Sequence, residues 1–121
     1  MSLTLDAGAL IGFERGSTRV RALLRSDDGA VHVPATVLAE VWRSGARQAV
    51  LGRLLDLERT EVIAFDRSAA QVAGGLLAAS RTSDVVDASV VVCAWLHGDV
   101  VVTSDPEDLR RLDPTLRLVT L

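Results

Sequence analysis

Short apolar runs alternate along the chain with stretches in helical spacing, and this alternation predicts the architecture. Residues 3–6, Leu3-Thr4-Leu5-Asp6, read as a strand ending on a carboxylate, and residues 7–15 as a helix that Gly16 interrupts. Ser17 or Thr18 can cap a second helix to about residue 25, with Val20, Leu23 and Leu24 on one face. Asp27-Asp28-Gly29 marks a turn and Val31-His32-Val33 a second strand; Pro34 then heads a helix over 35–44 that carries Glu40. Beyond Gly45 a further helix is expected to reach about residue 59, its apolar face supplied by Val50, Leu51, Leu54, Leu55 and Leu57.

The second half repeats the scheme. Residues 61–65 read as a strand, and Asp66 caps a helix through residue 79 whose Gly74-Gly75 pair weakens it but would permit close packing. Ser83 or Asp84 caps the next segment, to about residue 96. Val90-Val91-Val92 is β-branched and taken alone favours a strand, yet the length and the Ala-rich, Trp-containing continuation favour a buried helix. Residues 100–103 are a strand, 106–112 a short helix and 116–121 a closing strand. The pattern predicts one α/β domain over residues 1–121, a central parallel sheet of about four to five strands flanked by helices.

Composition narrows the chemistry. With 121 residues the chain fits one domain, and no apolar stretch approaches a membrane span. The opening MSLTLD lacks the basic-then-apolar pattern of a secretory signal, so a cytoplasmic location is expected. A lone Cys93 excludes an intrachain disulfide and a Cys-based zinc site, and reads as a small buried apolar residue. Every basic residue is Arg, which removes Lys-dependent chemistry such as a Schiff base or a P-loop. The net charge of -3 argues against a broad nonspecific nucleic-acid binder, but not against a nuclease whose carboxylates are neutralised by bound cations.

In an open parallel sheet, functional groups gather outside the carboxyl ends of the strands, where strand order reverses. Asp6 ends the first strand and Asp105 follows the 100–103 strand, so both emerge on one edge. Asp84 and Asp87, three apart at a helix start, share a face with Cβ atoms roughly 5 to 6 Å apart. Glu40, on the helix after the second strand, can reach over the same edge. Five carboxylates that converge repel one another, and a hard divalent cation such as Mg²⁺ or Mn²⁺ removes that repulsion while leaving positions open for phosphate oxygens.

LDAGALI, PATVLAEVWRSG, DVVDASVVVCA and VVTSDPEDL, in this order and spacing, resemble the successive motifs of the PIN-domain family, and most of all its bacterial VapC branch of ribonuclease toxins. The likeness covers essentially the whole chain. It implies a Mg²⁺- or Mn²⁺-dependent endoribonuclease held in check by a cognate antitoxin, with the metal site falling on Asp6, Glu40, Asp87 and Asp105 and with Thr103 in the strand-end motif. Two positions depart from the family pattern: Ala7 follows Asp6 where a hydroxyl residue is common, and Asp84 is an additional acid, either a supplementary ligand or a helix cap. Some relatives have lost hydrolysis, so a PIN-like binding or scaffold module is the alternative.

A lone Asp at a strand end is more often a turn or cap residue, and the joint pattern is what reverses that reading for the acids. Asp108 reads as a surface acid. His32 and His97 have no second His at ligand spacing and read as structural or exposed, and Trp42 and Trp95 as core or interface residues. Thr103, Arg15 and Arg43 are the candidate substrate contacts, with Arg19 and Arg47 also near the acidic edge. The leucine-rich faces around Leu23, Leu24, Val50, Leu54 and Leu55 exceed what one sheet face needs, which suggests a homodimer. A phosphoryl-accepting signalling domain would need a Lys near its last strands, and a haloacid-dehalogenase-like phosphatase a second Asp two residues after Asp6, where Gly8 stands.

Overall fold

A computed structural model describes residues 1–43 and 45–121, leaving the Arg47 side chain aside. Among these residues the chain forms β1 (Leu3–Leu5), α1 (Ala7–Glu14), α2 (Thr18–Ser26), β2 (Val31–Pro34), α3 (Ala35–Val41), α4 (Arg47–Leu55), β3 (Thr60–Ile63), α5 (Arg67–Ser80), α6 (Val85–His97), β4 (Val100–Thr103), α7 (Pro106–Leu112) and β5 (Leu118–Thr120). The strands make one five-stranded sheet in the order β3-β2-β1-β4-β5, and every neighbouring pair is parallel. The α/β architecture expected from the sequence is the one formed.

The three inner strands are buried at every position, as parallel strands covered on both faces must be, while the edge strands β3 and β5 are only half covered. Helix α6 is enclosed from Ala88 to Ala94, so Val90, Val91 and Val92 face protein on all sides. Their β-branching costs little helix stability beside the burial they gain. Described helices are nowhere long and apolar enough to cross a membrane.

Several boundaries differ from expectation. The α4 segment ends at Leu55 rather than near residue 59, because the chain turns at Asp56 and Leu57 and sends Arg59 back against α2. There the Arg59 guanidinium donates to the carbonyls of Leu24 and Asp27, filling acceptors that the end of α2 leaves open. Helix α3 stops at Val41 with Trp42 as its C-cap; Ser44, expected to end it, lies outside the described residues. A Cβ added at Gly74 or Gly75 meets no atom within 4 Å, so the glycine pair serves no close packing.

Leu24 and Leu54 are buried in the core, and Leu23 and Leu55 pack against it, so these faces are used within the domain and lend no support to a homodimer. The exposed large apolar residues include Trp42, Trp95 and Leu96 instead. Trp95 donates its indole N–H to Asp113 at 2.8 Å.

A polar network crosses the sheet at its centre. Asp99 is buried and accepts from Ser2, from Thr4 Oγ1 at 2.7 Å and from His32 Nδ1 at 2.6 Å. The His32 ring stacks on His97 with centroids 3.9 Å apart. Two histidines that sequence spacing had kept separate are thus neighbours, because β2 and the end of α6 meet over the same face. Gly98, in the left-handed region at φ +67, ends α6 and turns the chain into Asp99.

Candidate metal centre

Strand order reverses between β1 and β4, and the chain leaves these strands in diverging directions, which opens a crevice beyond their carboxyl ends. Asp6 follows β1 directly and is the N-cap of α1; Asp105 follows β4 and is the N-cap of α7. Asp84 caps α6, and Asp87 lies in its first turn. The amide ends of these helices carry partial positive charge and favour the carboxylates. The approach of α1 to the end of β4 depends on Gly8, where a Cβ would stand 2.0 Å from Ser104 Oγ.

Each acid is held differently. Asp6 Oδ1 accepts from the Ala9 N–H at 3.0 Å. Burial pushes the Asp6 carboxyl up, the Thr103 hydroxyl and the Ala9 and Ser104 amides pull it back, and the charge of Asp105 adds to the rise; the net direction is upward. Thr103 Oγ1 accepts from the Asp105 N–H at 2.9 Å, so one hydroxyl ties Asp6 to Asp105. Thr103 is fully buried. Expected as a substrate contact, it instead stands behind the acids and positions them.

Asp87 shows the crowding most clearly. Burial and then the charges of Asp84, Asp108, Asp6 and Asp105 push its carboxyl up to about 6. Asp84 Oδ1 accepts from the Asp87 N–H at 3.0 Å, so Asp84 both caps α6 and adds to the charge around Asp87. A cleft of about 300 Å³ is lined by Ser83, Asp84, Asp87, Asp108, Arg111 and Leu112, among others.

Asp84 and Asp87 line this cleft, while Asp6 and Asp105 lie outside its lining but near enough for their charges to act on Asp87. Glu40 is exposed on α3 and is not among the charges that principally act on Asp6 or Asp87. Arg15 and Arg43 are exposed and do not line the cleft; Arg43 donates to the Trp42 carbonyl at 2.6 Å. Asp108 and Arg111 were missed as site residues. Asp108 stands three after Asp105 at a helix start, the same relation as Asp84 and Asp87, and that spacing was the available signal. Arg111 Nη1 lies 3.9 Å from Asp108 Oδ1 and is the cation on the cleft wall.

The donor set fits a hard divalent cation: the cleft offers carboxylate and hydroxyl oxygens and neither imidazole nor thiol. Among the described residues, the triad of acidic, His or Cys side chains whose ligand atoms all lie within 4.8 Å of one another is His32, His97 and Asp99, not the cleft acids.

A family model described as PIN domain matches residues 3–113. Among solved structures, the chain is similar to a VapBC complex of Rickettsia felis bound to a promoter DNA fragment, at 20% identity and TM-score 0.77, covering 100% of this chain and 99% of that one. It is similar to DNA-bound VapBC of Salmonella typhimurium at 22% identity and TM-score 0.74, covering 99% and 98%. The sarcin–ricin-loop-cleaving VapC toxin of Mycobacterium tuberculosis matches at 17% identity and TM-score 0.64, over 82% of this chain and 86% of that one. No curated protein matches the sequence.

Proposed function

The chain belongs to the PIN-domain family, and from that premise we propose that it is a Mg²⁺- or Mn²⁺-dependent endoribonuclease, the toxin of a toxin–antitoxin pair. The observation that carries the reading is the convergence of carboxylates from two strand ends and two helix starts on Asp87, whose carboxyl is pushed up to about 6. Crowding of this kind destabilises the apo fold, and functional sites are where such cost is retained.

Asp6, Asp87 and Asp105 would hold the ion, with Asp84 and Asp108 extending the negative field, and Glu40 would have to swing in from its exposed position on α3 to join them. When bound, a divalent cation supplies a Lewis acid that lowers the pKa of an attacking water and offsets charge on the phosphate. Thr103 keeps Asp6 and Asp105 in register, and Arg111 on the cleft wall would meet an RNA phosphate. The likeness to VapBC complexes supports an antitoxin partner, and it supports RNA as substrate through the relative that cleaves the sarcin–ricin loop. A homodimer belongs to the same proposal, now on a face other than the buried leucines. The exposed position of Glu40 favours the rival reading, a PIN-like binding module without hydrolysis.

The test is cleavage of ribosomal RNA by the purified chain with Mg²⁺ or Mn²⁺. Asp6→Asn and Asp87→Asn should each lower the rate on the order of 10³-fold, about 4 kcal/mol of barrier. Co-expression with the genomic neighbour should abolish cleavage. Wild-type chain that binds RNA without cleaving it at any divalent concentration would establish the binding module instead.

A further inference from the structure

Ten residues beyond Asp87 on α6, about 15 Å along the helix, the same element carries His97 into a second cluster of ligand atoms. One ligand atom from each of His32, His97 and Asp99 lies within 4.8 Å of the others. The cluster is joined to the interior: Asp99 and His32 are buried, and His97 is half-buried at the end of the helix. His97 also lines a cavity of about 420 Å³ between β3, α5 and α6. Glu61, which pairs with His32 across β2 and β3, lines the same cavity.

The tautomers are set by the partners. His32 Nδ1 faces a carboxylate oxygen at 2.6 Å, and His97 Nδ1 faces the Cys93 carbonyl at 2.8 Å. Both partners only accept, so both Nδ1 atoms carry hydrogen, and in the neutral imidazole form, the one that binds a metal, each Nε2 presents its lone pair. Imidazoles that ligate metals are oriented in this way, with the far nitrogen donating to a carboxylate or a backbone carbonyl. We propose that His32 and His97 form a site for a late divalent transition metal, Zn²⁺ or Ni²⁺, with Asp99 orienting His32 and balancing the ion's charge. The site is separate from the acidic cleft in position and in chemistry, since imidazole nitrogen selects ions that the carboxylates do not.

The rings now stack with planes only 22° apart, and an ion must lie near the plane of each ring it binds. One ring has to turn. His32 is pinned by Asp99 inside the sheet, whereas His97 ends its helix and is held through Nδ1 alone by groups of Cys93. Ion binding therefore rotates His97 and leaves His32 in place, and it ties the end of α6 to β2.

The experiment titrates tag-free full-length chain with Zn²⁺ by calorimetry, in an Asp6→Asn/Asp87→Asn background that silences the cleft. One Zn²⁺ per chain should bind, and adding His97→Gln should weaken it on the order of 100-fold. Urea unfolding of both proteins checks that the half-buried substitution leaves the fold intact. In the same background, ring resonances of both His32 and His97 should shift on Zn²⁺ addition, with the larger change at His97. No Zn²⁺ binding in the silenced background, or binding unchanged by His97→Gln, would overturn the site. Because the cleft is disabled throughout, failure here leaves the nuclease reading untouched, and failure of RNA cleavage leaves this one untouched.

Discussion

Helix α6 connects two clusters of ionisable groups that the fold treats in opposite ways. At its start, Asp87 is half-buried among four other carboxylates, and its carboxyl rises to about 6. Just past its end, Asp99 is buried more fully by accessible surface, and burial alone would push its carboxyl up as well. Hydrogen bonds from Ser2, His32 and Thr4 reverse that, and the Asp99 carboxyl falls below its ordinary value. Burial is common to both, so the neighbours decide the sign. A carboxylate met by donors has its charge satisfied within the fold, and one met by other carboxylates carries a cost that a bound cation would relieve.

The comparison is tested most severely at Asp99. Removing it leaves the His32 Nδ1–H and the Thr4 hydroxyl without their acceptor inside the sheet, and Asp99→Ala should cost about 3 kcal/mol of unfolding free energy. The sign of its pH dependence follows from a lowered folded value. The stability Asp99 contributes is present above the unfolded carboxylate range, near pH 4, and is lost as pH falls below it. Urea midpoints of wild type and Asp99→Ala should therefore converge in acid. Equal midpoints at pH 7 would show that the donors do not make Asp99 structural.

Asp87 should behave in the reverse sense, with a smaller effect. Its raised folded value means the apo fold is favoured below the unfolded value and loses that contribution as pH rises through about 6. Asp87→Asn removes the charge and keeps the shape, so apo stability at pH 7 should increase by on the order of 1 kcal/mol, after discounting for solvent screening at a half-exposed side chain. At pH 4 the gain should vanish, and saturating Mg²⁺ should stabilise wild type more than the variant. A variant less stable than wild type at pH 7 would place Asp87 with Asp99 as a structural acid.

Sequence carried the fold further than it carried the site. Periodicity identified every strand and helix, including α6 despite its Val90-Val91-Val92 run, because length and composition outweighed local propensity. The α4 end was misjudged since no Gly or Pro marks the turn at Asp56, and the apolar Leu57 continued the pattern past it. Strand-end acids were legible because sheet order dictates where they emerge. Glu40, expected over the same edge from its place on the helix after β2 and from the resemblance, stands exposed, and Thr103 reads as a contact in sequence because its burial depends on packing that spacing does not encode. The His32–His97 pair, 65 positions apart, becomes neighbours only through the meeting of β2 with the end of α6.

Helix α5 offers the smallest effect and a control for both clusters. Gly74 and Gly75 lie in its interior, their backbone angles are not in the left-handed region, and a Cβ at either meets open space. Glycine in a helix interior loses more backbone entropy on folding than alanine does, so each Gly→Ala change should stabilise the chain by about 0.5 to 1 kcal/mol. Neither position touches a carboxylate of the cleft or a member of the Asp99 network. The gain should therefore be the same at pH 4 and pH 7, and it should add to that of Asp87→Asn. Unfolding of Gly74→Ala, Gly75→Ala and the triple combination measures this. A gain that changed with pH would mean that α5 senses one of the charged clusters, and the pH dependence assigned to Asp87 and Asp99 would then have to be shared with the helix packed beside α6.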